Sequence, residues 1–266
     1  MTEKIKKLGP AYRTEDRRIS LISRIMPTVA FYMNMVVIVY KAAKKGKHSL
    51  LDSIEWAKSS YAIIRSLEDV GVKIEISGLE NVEGLDGQCV FVANHMSVLE
   101  TFILPAILLP YKDLSFIIKR GLIRYPVFRH IMLATEAIVV DRKNPRDDLV
   151  KVLRDGVLKV NAGKSVVVFP QTTRSSLFDR KKFNTLGIKL AKRAGVPVIP
   201  IALKTDAWGC GRILKDFGRI NPCIDVHIAF GRPIFIRNRG VEEHGSVIDF
   251  IDSKLKKWGS QAVNNG

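Results

Sequence analysis

The sequence predicts an α/β fold in which a largely parallel central sheet is flanked by helices and preceded by an N-terminal helical hairpin. Three observations support this fold class. Short apolar runs recur beyond Gly71, stretches with helical spacing of apolar residues lie between them, and two longer helical patterns come first. In such a fold, residues that act on a ligand belong at the carboxyl ends of the strands.

The N-terminal hairpin consists of two helical patterns. Residues 25–40 contain no charge and are bounded by Arg24 and by four lysines between positions 41 and 47. As a helix they cover about 24 Å, whereas a bilayer span takes roughly 20 residues, so a full crossing is not favoured. Residues 48–70 form the second pattern. We expect residues 1–72 to be a basic segment whose hairpin dips into a membrane interface; the alternative is that both helices pack on the core.

The alternating region follows. Apolar strand candidates are residues 89–93, 114–118, 137–140, 165–169, 196–203 and 226–230. The clearest helix between them covers residues 145–160, because Asn144 can cap it, Pro145 suits its first turn and Gly163 follows its end. We assign residues 73–258 to one α/β domain and residues 259–266 to a flexible tail.

The chain is strongly basic. Its 43 Lys and Arg residues against 26 Asp and Glu give a net charge of +17, which attracts lipid headgroups, phosphorylated substrates or nucleic acid. No basic and aromatic stacking motif or recognition helix stands out, so we expect no nucleic-acid partner. Cys89, Cys210 and Cys223 have neither metal nor disulfide spacing, and we expect them to be packing residues in a reducing compartment.

His95 and Glu100 are the strongest candidates for chemistry. His95 comes directly after the run at 89–93, and Glu100 follows five positions later. Residues five apart do not share a helix face, so the two side chains meet only if the chain turns between them. A carboxylate that holds an imidazole keeps one tautomer and lets the ring accept a proton from a hydroxyl. The pair alone is weak evidence, because a histidine at a strand end is commonly structural.

Three other segments accompany this pair. Residues 169–175 read Phe-Pro-Gln-Thr-Thr-Arg-Ser, residues 116–128 carry Lys119 and Arg120, and residues 196–201 read Val-Pro-Val-Ile-Pro-Ile. Together with residues 94–101, they resemble the four blocks of the glycerolipid acyltransferase family, whose bacterial members make phosphatidic acid from lysophosphatidic acid. In chain order, the first block is residues 94–101, the second residues 116–128, the third residues 169–175 and the fourth residues 196–201. The resemblance runs from about residue 78 to residue 231.

The resemblance implies a function and a set of site residues. His95 matches the family's catalytic histidine, and Glu100 stands where the family usually has Asp. The implied reaction moves a fatty acyl group from acyl-CoA or acyl carrier protein to the free hydroxyl of a lysophospholipid, most simply lysophosphatidic acid. The implied substrate-binding residues are Lys119, Arg120, Arg142, Gln171, Thr172, Thr173, Arg174 and Ser175. Arg174 would hold the acceptor's phosphate, and no metal or other cofactor is expected.

Four positions depart from the family pattern. Gly121 and Gln171 stand where Glu is common, and Arg129 and Thr172 where Gly is common. Two alternatives therefore stay open: an acyltransferase for another lipid acceptor, of the lipid A or lyso-aminolipid type, and a noncatalytic lipid-binding relative. Lys119 could equally belong to a solvated basic rim, as could Arg120 and Arg142. The implied location is the cytoplasmic face of the cell membrane, peripheral or anchored by the N-terminal helix, with membrane lipids and the acyl donor as partners.

Overall fold

The computed structural model describes residues 8–141, 143–171, 173–211 and 216–260, and these contain eight strands in one sheet. The strands are β1 Ala11–Arg13, β2 Ile74–Ser77, β3 Val90–Ala93, β4 Leu114–Lys119, β5 Ile138–Val140, β6 Ser165–Val168, β7 Val198–Lys204 and β8 Val226–Phe230. Their order across the sheet is β1-β2-β8-β7-β3-β6-β4-β5. Only the β1–β2 and β7–β8 pairs among these are antiparallel. The predicted, largely parallel sheet is confirmed.

Helices cover both faces of the sheet. They are α1 Leu21–Ile25, α2 Pro27–Lys47, α3 Ser53–Glu68, α4 Glu80–Glu83, α5 Leu99–Leu108, α6 Pro126–Ala134, α7 Pro145–Asn161, α8 Leu186–Ala194 and α9 Val241–Lys257. Helices α2, α3, α5 and α6 contribute to the core on one face, and α7, α8 and α9 to the core on the other. Strands β3 and β6 are buried along their whole length, as expected for parallel strands covered on both sides.

The six predicted strands and the clearest predicted helix are confirmed. The six predicted strands are present with ends within two residues of their expected positions. Helix α7 begins at Pro145, and the side chain of Asn144 accepts a hydrogen bond from the backbone N–H of Arg146. Strands β1 and β2 were not predicted, because they are only three and four residues long and β1 lies before the alternating pattern.

Helix α2 has two different faces. Phe31, Met35 and Val39 are spaced by four residues and are buried in the core. The opposite face, continued by α1, exposes nine large apolar side chains to between 47 and 72 %. We call this surface the N-terminal apolar face; its residues are Leu21, Ile22, Ile25, Met26, Val29, Met33, Val36, Val37 and Tyr40. No helix in the described part of the chain combines the length and the apolar composition that a bilayer crossing requires.

Helix α3 lies inside the fold. Its apolar stripe, which includes Ile64 and Leu67, is buried. The large exposed apolar side chains of the expected hairpin therefore lie on α1 and α2 and at Leu50, not on α3. The hydroxyl of Ser60 accepts a hydrogen bond from the Ala106 N–H at 2.9 Å and donates to the carbonyl of Phe102. This hydroxyl is therefore inserted into α5 beside Pro105, where the proline interrupts the helical ladder.

The N-terminal segment also joins the sheet. The carboxylate of Glu68 is buried and accepts hydrogen bonds from Tyr12, from Thr14 at 2.8 Å and from Arg65 at 2.9 Å. Burial, with the hydrogen bond to Glu68, holds the pKa of Tyr12 well above its usual range. The boundary between residues 72 and 73 stays a prediction. The predicted tail at 259–266 falls mostly outside the described residues, which end at 260.

The cysteines differ from expectation. Cys89 is buried at the start of β3, and burial raises the pKa of its thiol to about 12. Cys210 and Cys223 are exposed. The expectation that all three are packing residues is therefore wrong for these two, because the loop between β7 and β8 keeps them at the surface.

Candidate active site

Three neighbouring strands bring the first, third and fourth blocks together. Strand β3 lies between β6 and β7 and is parallel to both, so their carboxyl ends meet at one edge of the sheet. His95 follows β3, Gln171 follows β6 and Thr205 follows β7. This edge is where the sequence analysis expected the chemistry.

His95 and Glu100 are in contact. The chain turns after β3, and the Nδ1 atom of His95 meets Oε2 of Glu100 in the first turn of α5. Glu100 is fully buried, while the His95 side chain is 16 % exposed. Because an ionised carboxylate only accepts hydrogen bonds, the proton of the imidazole is assigned to Nδ1, and Nε2 keeps a lone pair. The pair thus has the arrangement of a general base held by a carboxylate.

The other carboxylate oxygen of Glu100 has three donors. The backbone N–H groups of Met96 and Ser97 donate to Oε1 at 2.7 and 2.9 Å, and the hydroxyl of Thr205 donates to it at 2.7 Å. The carboxylate also lies at the N-terminus of α5, where the helix dipole stabilises negative charge. Oε2 of Glu100 therefore contacts His95, while Oε1 is held by the backbone of the turn and by Thr205.

The third block holds His95 from the other side. The imidazole stacks on the ring of Phe169, with centroids 4.4 Å apart and planes inclined by 23°. The N–H of His95 donates to Oε1 of Gln171 at 2.8 Å, and the carbonyl of His95 accepts from the N–H of Ser175 at 3.0 Å. The loop after β6 therefore fixes both the ring and the backbone of His95.

Asn94 connects the site to β7. Its side chain donates to the carbonyl of Leu203 at 2.7 Å and accepts from the N–H of Leu203 at 2.8 Å. A buried amide with both functions satisfied in this way continues the strand pairing by one step. The residue before His95 is therefore held by β7, two residues beyond the fourth block.

Arg174 already has a carboxylate partner. Its guanidinium contacts Asp216, which lies in the segment between β7 and β8. The Arg174 side chain is 24 % exposed and that of Asp216 is 47 % exposed. A guanidinium offers several donors in a plane, so a phosphate can reach those that Asp216 does not use, or can replace Asp216.

Comparison with known proteins decides the family. A family model described as Acyltransferase matches residues 73–204, about half of the chain. A 1-acyl-sn-glycerol-3-phosphate acyltransferase of Pseudomonas aeruginosa is 35 % identical over 132 residues, which are 50 % of this chain and 49 % of the relative. The chloroplastic 1-acyl-sn-glycerol-3-phosphate acyltransferase BAT2 of Brassica napus is 34 % identical over 194 residues, 72 % of this chain and 51 % of the relative. The chain belongs to the glycerolipid acyltransferase family.

A solved structure of this acyltransferase family has the same fold. The 1-acyl-sn-glycerophosphate acyltransferase PlsC of Thermotoga maritima superposes with a TM-score of 0.68 at 18 % identity, covering 90 % of this chain and 98 % of the other. The chain spans about half the length of the two curated relatives described above. The α/β architecture and family membership predicted from the sequence are confirmed.

The second block lies farther from His95 than the other blocks do. Lys119 ends β4 and is exposed, and Arg120 pairs with Asp141 at the end of β5. Since β6 separates β4 from β3, both residues stand two strands away from His95. Arg142 and Thr172 lie outside the described residues. Contact of Lys119 and Arg120 with substrate stays a prediction.

The remaining third-block residues take varied positions. Thr173 is exposed, and the hydroxyl of Ser175 accepts a hydrogen bond from the N–H of Leu177 at 3.1 Å. Gln171 is buried, and its side-chain carbonyl accepts a hydrogen bond from the N–H of His95. Its role in substrate binding stays a prediction. Across the part of the chain that the structure describes, no three His, Cys, Asp or Glu side chains cluster as metal ligands would.

Sequence reasoning missed Thr205, Asn94 and Asp216. Thr205 and Asn94 carry a usable signal, since both are polar residues directly after buried strands whose carboxyl ends share one edge. Asp216 carries none, because it lies in an irregular segment 42 residues from Arg174.

Proposed function

We propose that this acyltransferase moves a fatty acyl group from an acyl thioester, acyl-CoA or acyl carrier protein, to the free hydroxyl of lysophosphatidic acid and so makes phosphatidic acid. The names of the relatives support this acceptor. The observation that carries the proposal is the contact between His95 Nδ1 and Glu100, at the carboxyl end of β3 and inside the family match.

In the proposed reaction, Nε2 of His95 takes the proton of the acceptor hydroxyl. At the same time, the oxygen of that hydroxyl attacks the carbonyl carbon of the thioester. The tetrahedral intermediate then collapses, the carbon–sulfur bond breaks, and the imidazolium returns the proton to the departing thiolate. A positioned base contributes about 10² to 10⁴ in rate. Glu100 stabilises the imidazolium that forms between the two steps.

Arg174 is the proposed ligand of the acceptor phosphate. It follows β6 in the loop that holds His95, so a phosphate bound there is near the base. Binding requires the guanidinium to share or give up its contact with Asp216. Lys119 and Arg120, at the carboxyl end of β4, are proposed to add positive field at the same edge of the sheet. A contribution from Arg142 stays a prediction.

The N-terminal apolar face is the proposed membrane contact. Nine exposed apolar side chains form it, and Lys41, Lys44 and Lys47 follow it on α2. Such a surface favours the boundary between acyl chains and anionic headgroups. In this arrangement the enzyme lies on the cytoplasmic face of the membrane, where its acceptor is dissolved.

Transfer assays test the reaction. Radiolabelled acyl-CoA and acyl carrier protein are offered with lysophosphatidic acid and other lysolipids, including lipid A precursors, to the native enzyme and to His95→Ala. We expect transfer to lysophosphatidic acid that His95→Ala abolishes, whereas His244→Gln, on α9 across the sheet, retains it. A folded native protein that acylates no acceptor would refute the proposed function. Undiminished transfer by His95→Ala would instead refute the role of the base.

Vesicle binding tests the membrane contact. Replacement of Met33 and Val37 by Glu places charge on the N-terminal apolar face, and Val150→Glu, at a comparably exposed site on α7, is the matched control. We expect sedimentation with anionic phospholipid vesicles to be lost in the double variant and kept in the control. Equal binding by all three proteins would contradict the proposal.

A further inference from the structure

A chain of hydrogen bonds ends on Glu100. Thr205 is fully buried directly after β7, and its hydroxyl lies 2.7 Å from Oε1 of Glu100. The hydroxyl of Ser97 lies 3.0 Å from that of Thr205, and the N–H of Leu99 donates to Ser97 at 3.2 Å. All of these groups are buried.

The carboxylate of Glu100 determines which group donates in each of these hydrogen bonds. An ionised carboxylate can only accept, so the proton of Thr205 points to Glu100. The oxygen of Thr205 must then accept from Ser97, whose own oxygen accepts from Leu99. Hydrogen bonds aligned in one direction polarise one another, and here they all act on Oε1 of Glu100.

Thr205 is the only one of the three Oε1 donors described above that comes from another part of the fold. Met96 and Ser97 belong to the same turn as His95 and move with it. Thr205 is fixed from β7, and its carbonyl accepts from the N–H of Trp208 at 3.2 Å. The Trp208 ring packs against Phe31 and Phe102, with centroids 5.0 and 5.6 Å away.

We propose that Thr205 is a positioning residue of the acyl-transfer reaction, which fixes Oε1 of Glu100 so that Oε2 faces Nδ1 of His95. The inference rests on the proposed function, because it assigns Thr205 a role through the His95–Glu100 pair. A glutamate has one more rotatable bond than an aspartate. A hydrogen bond from Thr205, which lies outside the turn, restricts rotation of the longer Glu100 side chain.

Two substitutions separate the hydroxyl from the shape of the side chain. Thr205→Val keeps the shape and removes the donor, whereas Thr205→Ser keeps the donor. Since a hydrogen bond to a charged group is worth about 1.5–3 kcal/mol, we expect Thr205→Val to lower kcat roughly 10- to 100-fold, with the KM of both substrates unchanged. Thr205→Ser is expected to retain most of kcat. A Thr205→Val enzyme with the kcat of the native enzyme would overturn the inference.

A double-mutant comparison tests whether Thr205 acts through Glu100. In a Glu100→Ala background, Thr205→Val is expected to cause no further loss, because the group that it positions is gone. An equal loss in both backgrounds would overturn the inference and indicate a purely structural role. Ser165→Ala controls for the loss of a buried hydroxyl, since Ser165 begins β6 at the opposite edge and bonds to the N–H of Cys89 at 3.1 Å.

Failure of the inference and failure of the proposed function are distinguishable. If His95→Ala abolishes transfer and Thr205→Val leaves it unchanged, only the role of Thr205 is refuted. If Thr205→Val does not fold, Ser97→Ala removes the donor to Thr205 instead. We expect it to lower kcat by a smaller factor than Thr205→Val, with KM unchanged, and an unchanged kcat there would also count against the inference.

Discussion

The side-chain carbonyl of Gln171 accepts a hydrogen bond of 2.8 Å from the backbone N–H of His95. The family commonly has Glu at this position. A carboxylate oxygen and an amide oxygen both accept from a backbone N–H, the carboxylate more strongly, so Gln can still hold the backbone of the histidine. The departure at Gln171 therefore leaves the support of the base intact.

Substitution of Gln171 tests this support. Gln171→Met has a similar size but no acceptor, so it leaves a buried N–H unpaired, which costs about 1–3 kcal/mol. We expect a lower kcat and a lower unfolding midpoint. Gln171→Glu keeps an acceptor and is expected to retain most of the activity in the same transfer assay. Similar losses in both variants would show that the acceptor oxygen is not what matters.

Asp216 is expected to compete with the acceptor for Arg174. Asp216→Asn removes the competing charge, and since exposed ion pairs are worth up to about 1 kcal/mol, the KM for lysophosphatidic acid should fall about two- to fivefold at unchanged kcat. Asp249→Asn is the control, because Asp249 also pairs with an arginine, Arg180, but on α9. A higher KM in Asp216→Asn would mean that Asp216 orients Arg174 for the phosphate.

Ser60 is expected to stabilise the helix that carries Glu100. Ser60→Ala leaves the N–H of Ala106 without the hydroxyl that it contacts, at a cost of about 1–3 kcal/mol. The thermal midpoint should therefore fall by roughly 2–10 °C for a chain of this size. Ser66→Ala is the matched control, since the Ser66 hydroxyl bonds only to the carbonyl of Ala62 in its own helix among the contacts described. Equal shifts would exclude a special role for Ser60.

The three thiols are expected to react at different rates. Burial raises the pKa of Cys89 to about 12, so at pH 8 it is protonated as well as inaccessible, whereas Cys210 and Cys223 are exposed. A chromogenic disulfide reagent should modify two thiols quickly in the native enzyme and the third only after unfolding. Replacement of both exposed cysteines by Ser should abolish the fast phase. A fast third thiol would contradict the burial of Cys89.

The predictions that succeeded rest on patterns that lie within one short stretch of sequence. Helix α7 was predicted with nearly correct ends, because its cap, its proline and its apolar stripe all lie within one stretch of sequence. The contact of His95 with Glu100 was expected for the same reason, since a single turn brings them together. Strand β1 has three residues and depends on pairing with β2 about 60 positions away, which no local pattern reports.

The site residues that sequence reasoning missed have distant partners. Thr205 lies 105 positions from Glu100 along the chain, and only the parallel pairing of β3 with β7 brings them together.

The two faces of α2 could not be told apart from the sequence for another reason. Its apolar composition predicted that it would avoid water, but which side is buried in the core depends on α3 and α6, which pack against one face.

The segment between β7 and β8 touches helix α2 at several described points. Tyr32 donates to the carbonyl of Gly218 at 2.7 Å, and Thr28 accepts from the N–H of Ile220 at 3.1 Å. The same segment supplies Thr205 to Glu100 and Asp216 to Arg174. Anyone designing a shortened form for crystallisation or screening should therefore keep the N-terminal helices, since α2 supports the segment that contacts Glu100 and Arg174. Polar replacements on the exposed face of α2 would leave these contacts in place.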